Sequence, residues 1–293
     1  MVDSKGGHRA AFFMSVNRYL IFGASLESHA FTFEVIPVCS APVAGEPEIM
    51  LISGKGSLAL SRPADSFSIT LPESVFFSGS TELSLWDQNL FANVVVPGLL
   101  STQSRLVLRG CCVVYQGLGV LVLAGTAAGK SRFCAEVLSR GGALVSDDVA
   151  VLTYREGVVS AYGGPRFLKR AIAPDSFLLH SSGMQRLGAL RPSSEKGVYA
   201  VCEEKYRCAT PIDLILVAGS RDFFSLKVPK LDGVEVLRRH RLAGLIASTR
   251  VSELHAVSAM IALAGAARWA CVNLQHAASN LDEIIDRSCV SGD

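Results

Sequence analysis

Residues 119–133 read GVLVLAGTAAGKSRF, an apolar run that passes into a loop of small residues and then into Gly-Lys-Ser. The run predicts a buried strand, and the residues after Gly129 predict the start of a helix. This order is typical of a phosphate-binding loop with the pattern G-x-x-x-x-G-K-[ST]. Ala124 stands where that pattern has its first glycine. Because alanine is the smallest substitute and Gly125 follows directly, the departure is mild.

Such a loop binds phosphate through successive backbone N–H groups at the N-terminus of a helix. Gly129 lets the backbone approach the phosphate closely, Lys130 brings a positive charge to the outer phosphates, and the Ser131 hydroxyl is a ligand for Mg²⁺. The alternative is a plain strand–helix turn with an exposed lysine. The predicted nucleotide-binding residues are Gly125, Thr126, Ala127, Ala128, Gly129, Lys130, Ser131 and Arg132.

Two adjacent aspartates follow the loop. Asp147 and Asp148 come after the apolar run ALVS, sixteen residues past Ser131, so we expect the two strands to lie side by side with level ends. One carboxylate can then bind Mg²⁺ while the other accepts a proton from an alcohol nucleophile. The alternative is a solvated turn. A nucleotide switch would more often show one aspartate and a separate water-positioning residue, so the pair favours a kinase.

The composition is that of a folded protein with a sizeable core. Of 293 residues, 49% are hydrophobic and 18% are charged, which argues against disorder. The net charge of +2 gives no reason to expect nucleic acid or an acidic membrane surface as a partner. The eight cysteines form no C-x-x-C motif, so we expect reduced cysteines in a cytoplasmic protein.

One segment has the length of a membrane span. Residues 110–129 carry no charge, but five of them are glycine and the run ends in Gly-Lys-Ser. Two buried strands joined by a glycine turn explain this segment better. The first nineteen residues lack the long apolar run of a signal peptide. We therefore expect no membrane partner.

The chain divides into a mainly β region at 1–100, a candidate for binding an acceptor, and a nucleotide-binding domain at 101–293. The first region holds the strand-like runs RYLIFGA, FTFEVIPV, EIMLIS, SFSITL and ELSLW, with GSLALSRPADS and FFSGST as turns. DQNLFANVVVPGLLSTQS predicts a helix broken at Pro97. From residue 105 we expect two strands around a turn at 116–119, a helix, a strand, the acidic pair, a hairpin turning at Glu156-Gly157 and the strand PIDLILVAGS. Residues 232–288 are helical in pattern.

From Gly117 to Val151 the sequence resembles the core of the HPr kinase/phosphorylase family, in which a glycine-flanked strand, the phosphate loop, a helix, "RG" and a strand ending in Asp-Asp follow in this order. More loosely, RYLIFGASLESHAFTFEVIP and GGPRFLKRAIAPD look like the HPr-kinase-related proteins of peptide-biosynthesis clusters, some of which phosphorylate a serine of a lasso-peptide precursor. The resemblance implies an α/β fold with a P-loop kinase core of the HPr kinase/phosphoenolpyruvate carboxykinase-like type. It also implies use of ATP and Mg²⁺ on a serine hydroxyl.

By the same resemblance, Gly129, Lys130 and Ser131 would contact phosphate and metal, and Asp147 and Asp148 would be metal ligand and general base. We favour Asp148 as the base and Asp147, with Ser131, as the metal ligand, although the two roles could be exchanged. Some related enzymes are hexamers, so a homo-oligomer is an open expectation.

The sequence departs from the family in two places. Arg109 stands where the family has a histidine, which puts the reverse, phosphorolytic reaction in doubt. GGPRFLKR replaces a glycine-rich signature and offers Arg166, Lys169 and Arg170 to phosphate or substrate, the alternative being a solvated basic face. Weaker candidates are Lys196, Lys205 and Arg207. His255, His276, Trp86 and Trp269 are expected to be structural.

These observations predict an ATP-dependent kinase that acts on a serine or threonine of a peptide or small protein. The alternatives are a kinase for a small metabolite and a nucleotide-binding ATPase or switch without an acceptor.

Overall fold

The computed structural model describes residues 17–22, 24–28, 49–54, 57–62, 67–72, 84–102, 105–171, 183–191, 195–219, 224–225, 230–242, 250–277 and 279–290. In these residues the chain forms an α/β fold with a mixed central sheet and helices on both of its faces. This architecture is compatible with a P-loop kinase-like fold. None of the helices in the described ranges is long and apolar enough to span a bilayer.

Seventeen strands are present in the described part of the chain. They are β1 (Asn17–Ile21), β2 (Ala24–Ser28), β3 (Ile49–Gly54), β4 (Ser57–Arg62), β5 (Phe67–Pro72), β6 (Leu106–Tyr115), β7 (Leu118–Leu123), β8 (Ala143–Ser146), β9 (Val149–Arg155), β10 (Val158–Tyr162), β11 (Phe167–Ala171), β12 (Met184–Ala189), β13 (Lys196–Val201), β14 (Ala209–Pro211), β15 (Leu214–Ala218), β16 (Phe224–Ser225) and β17 (Arg268–Val272).

The α-helices are α1 (Leu85–Leu90), α2 (Val96–Leu100), α3 (Lys130–Ser139), α4 (Lys230–His240), α5 (Arg250–Ala266), α6 (Leu274–Ala277) and α7 (Leu281–Val290). A π-helical turn (Phe91–Val95) joins α1 to α2, and a short 3₁₀ turn covers Glu203–Lys205.

The central sheet has the order β14-β10-β9-β6-β7-β15-β17-β16, and β8 also pairs with β6. β6 and β7 form an antiparallel hairpin in which Gly110 faces Leu123. β15 pairs in parallel with both β7 and β17. Two smaller sheets have the orders β1-β2-β3-β4-β5 and β11-β13-β12.

The two faces of β7 are buried in different hydrophobic clusters, because alternate side chains of a strand point to opposite sides. Val120 and Val122 pack against α3, α6 and α7, whereas Leu121 and Leu123 pack against α4 and α5. A third cluster joins β1, β2 and α1–α2 to the central sheet, and its members include Tyr19, Phe22, Leu99, Val107 and Val149. The strand that leads into the loop is therefore held rigidly on both sides.

Several local predictions are confirmed. The turn at 116–117, helix α3, the strands on either side of Asp147-Asp148, the hairpin at 156–157 and the strand in PIDLILVAGS all form. The predicted strand FTFEVIPV and turn FFSGST lie outside the described residues.

Four predictions were wrong. Ser57–Arg62 is a strand that pairs with β3 and β5, not a turn. In the run ELSLW, expected to be a strand, Leu85 and Trp86 belong to α1, whose Ser84 cap and Asp87 form a capping box. The helix is not broken at Pro97, because the preceding π-helical turn accommodates the residue, which lies in the first turn of α2. Arg268–Val272, expected to be helical, forms β17, since pairing with β15 and burial outweigh local propensity.

Candidate nucleotide-binding site

The loop at the end of β7 has the backbone of an anion-binding turn. Ala127 and Gly129, just ahead of α3, have left-handed φ values of 62° and 97°, the kind of backbone in which successive N–H groups can converge on an anion. A Cβ on Gly129 would meet only the Cβ of Leu274, at 3.8 Å, so the left-handed backbone rather than lack of space requires glycine here. Ala124, the residue that departs from the usual pattern, is 1% exposed and belongs to the core. The departure therefore lies on the core side of the loop.

Lys130 is the first residue of α3, and its side chain lies back along the loop. The residue is 6% exposed, and its Nζ donates to the carbonyl oxygens of Gly125 at 2.7 Å and Ala124 at 3.2 Å. These contacts keep the ammonium group next to the loop backbone. A cation held there is placed to neutralise phosphate oxygens bound by the loop amides.

Ser131 and Asp147 form the closest contact between the loop and the acidic pair. The Ser131 hydroxyl donates to the carboxylate of Asp147, with Oγ at 2.9 Å from Oδ2 and 3.2 Å from Oδ1. Asp147 is 2% exposed and also accepts from the backbone N–H of Asp148 at 3.0 Å. Burial, together with the charge of Asp148, raises the pKa of Asp147 to about 6, although Lys169 and the Ser131 hydrogen bond act in the opposite direction.

Asp148 lies in a different environment from its neighbour. Its φ is 66°, and its carboxylate forms an ion pair with Nζ of Lys169 on β11. Burial opposes ionisation of Asp148, but the charge and hydrogen bond of Lys169, with Lys130 and Lys196, outweigh it and hold the pKa below its usual range. The pair thus combines a buried carboxyl group on the loop serine with an ionised, partly exposed carboxylate beside a lysine.

The central strand β6 sets the distance between the loop and the acidic pair. β7 pairs with one edge of β6, whereas β8 and β9, which the Asp147-Asp148 turn connects, pair with β6 as well. The expectation that the two strands are direct neighbours was therefore wrong, because the hairpin strand β6 lies between them. The two strands end within two residues of each other along β6, since Leu123 faces Gly110 and Ser146 faces Cys112.

Arg109 lies on β6 between these two parts of the site. It pairs with Val149, just after the acidic pair, and its Nη1 donates to the Thr126 hydroxyl in the loop at 3.2 Å. Its side chain is exposed. Arg109 therefore contacts the loop itself.

The other basic candidates differ in whether they contact the acidic pair. Lys169 lies at the acidic pair, and the next residue, Arg170, leaves the opposite face of β11. Arg166 faces Glu203 at 3.8 Å. Lys205 donates to the carbonyl of Leu138 at 2.7 Å at the end of α3, and Arg207 donates to the carbonyls of Glu204 and Tyr206. Both of these side chains hydrogen-bond to backbone carbonyl groups.

The remaining loop residues differ in exposure. Gly125, Thr126, Ala127 and Arg132 are exposed, whereas Ala128 and Gly129 are partly buried.

Sequence reasoning missed His240, the last residue of α4. It forms a hydrogen bond with the backbone of Arg109 and lies close enough to Lys130 for that charge to affect its ionisation. Neither its spacing from other residues nor a motif marks it in the sequence. Its position depends on where the end of α4 meets β6.

The side chains fit a Mg²⁺ ion that is shared with phosphate oxygens. No group of three or more His, Cys, Asp or Glu side chains converges among the residues that the structure describes, so the described residues form no cage made of protein alone. Mg²⁺ usually takes one or two carboxylates together with substrate phosphates. Asp147 and the Ser131 hydroxyl provide such a pair at the mouth of the loop.

Comparison with known proteins gives limited information. No protein-family model and no curated protein matches the chain. Among solved structures, it is similar to the HPr(Ser) kinase/phosphatase from Coxiella burnetii, with 18% identity and a TM-score of 0.27 over 39% of this chain. The chain spans 65% of the length of that structure.

Proposed function

We propose that this chain is an ATP-dependent kinase that transfers the γ-phosphate to a serine or threonine hydroxyl of a peptide or small protein. The hydrogen bond between Ser131 and Asp147 carries the proposal. It joins the helix that begins at the phosphate loop to one of two carboxylates, and the second carboxylate, Asp148, remains ionised nearby. A plain strand–helix turn has no reason to bury an aspartate against its serine.

The roles of Asp147 and Asp148 follow from their different environments. The loop amides and Lys130 bind the phosphates, and Ser131 with Asp147 would hold Mg²⁺. The metal, when bound, withdraws charge from the phosphate oxygens. Asp148 accepts the proton of the acceptor hydroxyl while that oxygen forms its bond to the γ-phosphorus. The bond between the γ-phosphorus and the bridging oxygen breaks, and ADP leaves with that oxygen.

Lys169 has a place in the same step. Its ion pair holds Asp148 ionised, as a proton acceptor must be, and keeps a second positive charge close to the phosphate site. Positioning and charge stabilisation account for most of the rate in phosphoryl transfer, so Lys130, Arg109 and Lys169 matter as much as the base.

For the acceptor we propose a lasso-peptide precursor, on the strength of the family resemblance of residues 18–37 and 163–175. In this proposal the β region at 1–100 contributes to peptide binding. Assembly of several copies, as in the related hexamers, belongs to the same proposal.

The test is to incubate the protein with γ-labelled ATP, Mg²⁺ and either serine-containing peptides or small alcohols. We expect labelled peptide. Replacing Asp148 by Asn should slow labelling roughly 10²- to 10⁴-fold, the usual contribution of a general base, while ATP still binds. Asp286→Asn, at an exposed position on α7, is the matched control and should label normally.

The other outcomes separate the alternatives. Label on a small alcohol would indicate a metabolite kinase, and release of free phosphate alone would indicate an ATPase or switch. Normal peptide labelling by Asp148→Asn would contradict the choice of base. A protein that binds no nucleotide at all would contradict the whole proposal.

A further inference from the structure

The end of helix α4 meets the central sheet where β7 stops. Arg241 forms a β-bridge with Leu108, and the N–H of Leu242 donates to the carbonyl of Val107 at 3.0 Å. The opposite edge of this part of β6 is already paired with β9. The end of α4 therefore occupies the same edge of β6 as β7, directly beyond Leu123.

This register puts His240 at the start of the phosphate loop. An antiparallel bridge between Leu108 and Arg241 places His240 opposite Arg109. In the hairpin, Leu123 faces Gly110, so Ala124 would have faced Arg109 if β7 had continued. His240 thus takes the place that the chain leaves when it turns from the strand into the loop.

Two sets of contacts fix the position of His240. The guanidinium of Arg241 forms a two-pronged ion pair with Glu253 on α5, with nitrogen–oxygen distances of 2.5 and 2.8 Å. His240 itself is half-buried and hydrogen-bonded to the backbone of Arg109. An imidazole held between a helix end and a central strand is positioned rather than loosely exposed.

Cations surround this imidazole. Arg109 faces it from β6 and Lys130 from α3, and on its own helix Arg238 and Arg239 pair with Glu235 while Arg241 pairs with Glu253. Within the described part of the chain neither His240 nor Arg109 forms an ion pair with a carboxylate. Burial, with the charges of Lys130 and Arg109, lowers the pKa of His240 below its usual range, although the hydrogen bond to Arg109 acts in the opposite direction. Asp148, the carboxylate whose ionisation Lys130 affects, is itself paired with Lys169, so the three converging basic groups favour an anion.

We propose that His240 is a further residue of the nucleotide site, a phosphate-binding group that helix α4 supplies next to Arg109 and Lys130. The inference rests on the proposed function, since a triphosphate at the loop is the anion concerned. The negative charge of the phosphates favours the imidazolium form, so nucleotide binding takes up a proton at His240. Each unit by which the phosphates raise that pKa strengthens binding up to about tenfold at a pH below both values.

The experiment is a calorimetric titration with ATP and Mg²⁺ at several pH values between 6 and 8, each in two buffers of different ionisation enthalpy. We expect the ratio of wild-type to His240→Gln affinity to rise as the pH falls through this range. His240→Gln can still donate a hydrogen bond to a backbone carbonyl but carries no charge. It should bind about three- to tenfold more weakly at the lower pH, differ little at the higher pH, and take up less of a proton.

Two controls make the result specific. Asp147 also titrates near pH 6, but it does so in both proteins, so the difference between them isolates His240. His255→Gln, at an exposed position on α5, should match the wild type. If His240→Gln does not fold, nuclear magnetic resonance of the wild type replaces it, and the pKa of His240 should rise on addition of ATP.

Equal affinity and proton uptake in His240→Gln and wild type, or an unchanged imidazole pKa, would overturn this inference and leave the kinase proposal in place. A wild-type protein that does not bind ATP would overturn both.

Discussion

At the scale of single residues, the Asp147 carboxyl group is held in a state that opposes its own ionisation. Burial and the charge of Asp148 raise its pKa from 3.8 to about 6. Between these values only the folded state holds the proton. The stability that this group contributes is therefore complete below the unfolded value and is lost as the pH rises through 6. Near neutral pH the metal-free protein carries a buried negative charge that a bound cation would compensate.

Asp147→Asn should stabilise the metal-free protein at pH 7.5, because it removes this charge and keeps an oxygen that accepts from Ser131. From a shift of about two units we expect a gain on the order of 2 kcal/mol in the free energy of unfolding. The gain should shrink toward zero as the pH approaches 4. Thermal unfolding across this pH range in a chelating buffer measures it.

The control for Asp147→Asn is Asp286→Asn, an exposed position that should change stability little at any pH. Addition of Mg²⁺ and ATP should reverse the order, since the wild type gains from the metal and Asp147→Asn does not. A variant that is less stable than the wild type at pH 7.5 and equal to it at pH 4 would contradict the assigned direction of the pKa shift.

At the scale of secondary-structure elements, the sequence was informative where neighbours along the chain decide the geometry. The strand β7, the loop and helix α3 form a continuous pattern in which glycine, lysine and serine each have a local reason to be there. The hairpin after Asp148 is equally local, because it turns within two residues. These are the elements that carry the candidate site.

Sequence reasoning failed where partners distant in the chain decide the outcome. β17 reads as part of a helix until β15 is seen beside it, and the insertion of β6 between β7 and β8 cannot be read from spacing. His240 is the sharpest case, since its role depends on a single β-bridge between Arg241 and Leu108. No periodicity within α4 indicates that bridge.

One carboxylate adds polar contacts to the apolar packing that holds helix α7 against the rest of the domain. Asp282 accepts from the Tyr115 hydroxyl at 3.0 Å, from Nε2 of Gln116 at 2.7 Å and from Nη2 of Arg140 at 2.6 Å. It thereby joins the first turn of α7 to the β6–β7 turn and to the end of α3. Burial, together with the hydrogen bond to Asp282, raises the pKa of Tyr115.

Asp282→Ala should lower the free energy of unfolding by about 1–2 kcal/mol, because three donors lose their shared acceptor in a partly exposed setting. Glu283→Ala is the matched control on the same helix. It breaks an exposed ion pair with Arg287 one turn away and should cost less than about 0.5 kcal/mol. Denaturant titration of both variants compares them, and equal losses would show that Asp282 does not anchor α7.

At the scale of the whole molecule, strands β1 and β2 share a hydrophobic core with the central sheet. Tyr19 and Leu99 pack in the same cluster as Val107 and Val149 of the central sheet. Their neighbours on the same two strands, Leu106 and Leu108 on β6 and Ala150 on β9, face the cluster beneath α4 and α5. Since alternate residues of β6 and β9 belong to the two clusters, loss of one would expose the strands that support the other.

The chain has two tryptophans, and they report on these two clusters separately. Trp86 on α1 packs against the cluster that contains Tyr19 and Leu99, and the Arg191 guanidinium lies 3.3 Å from the centre of the Trp86 ring. Trp269 on β17 is buried in the cluster beneath α4 and α5. Trp86→Phe retains Trp269, and Trp269→Phe retains Trp86. If the two cores are coupled, the tryptophan fluorescence and the circular dichroism of each variant should change together in one unfolding transition. Each variant is compared with its own circular dichroism, so a change in overall stability does not affect the test. If the Trp86 signal were lost at a clearly lower denaturant concentration than the circular dichroism of Trp269→Phe, the cluster around α1 would unfold independently of the central sheet.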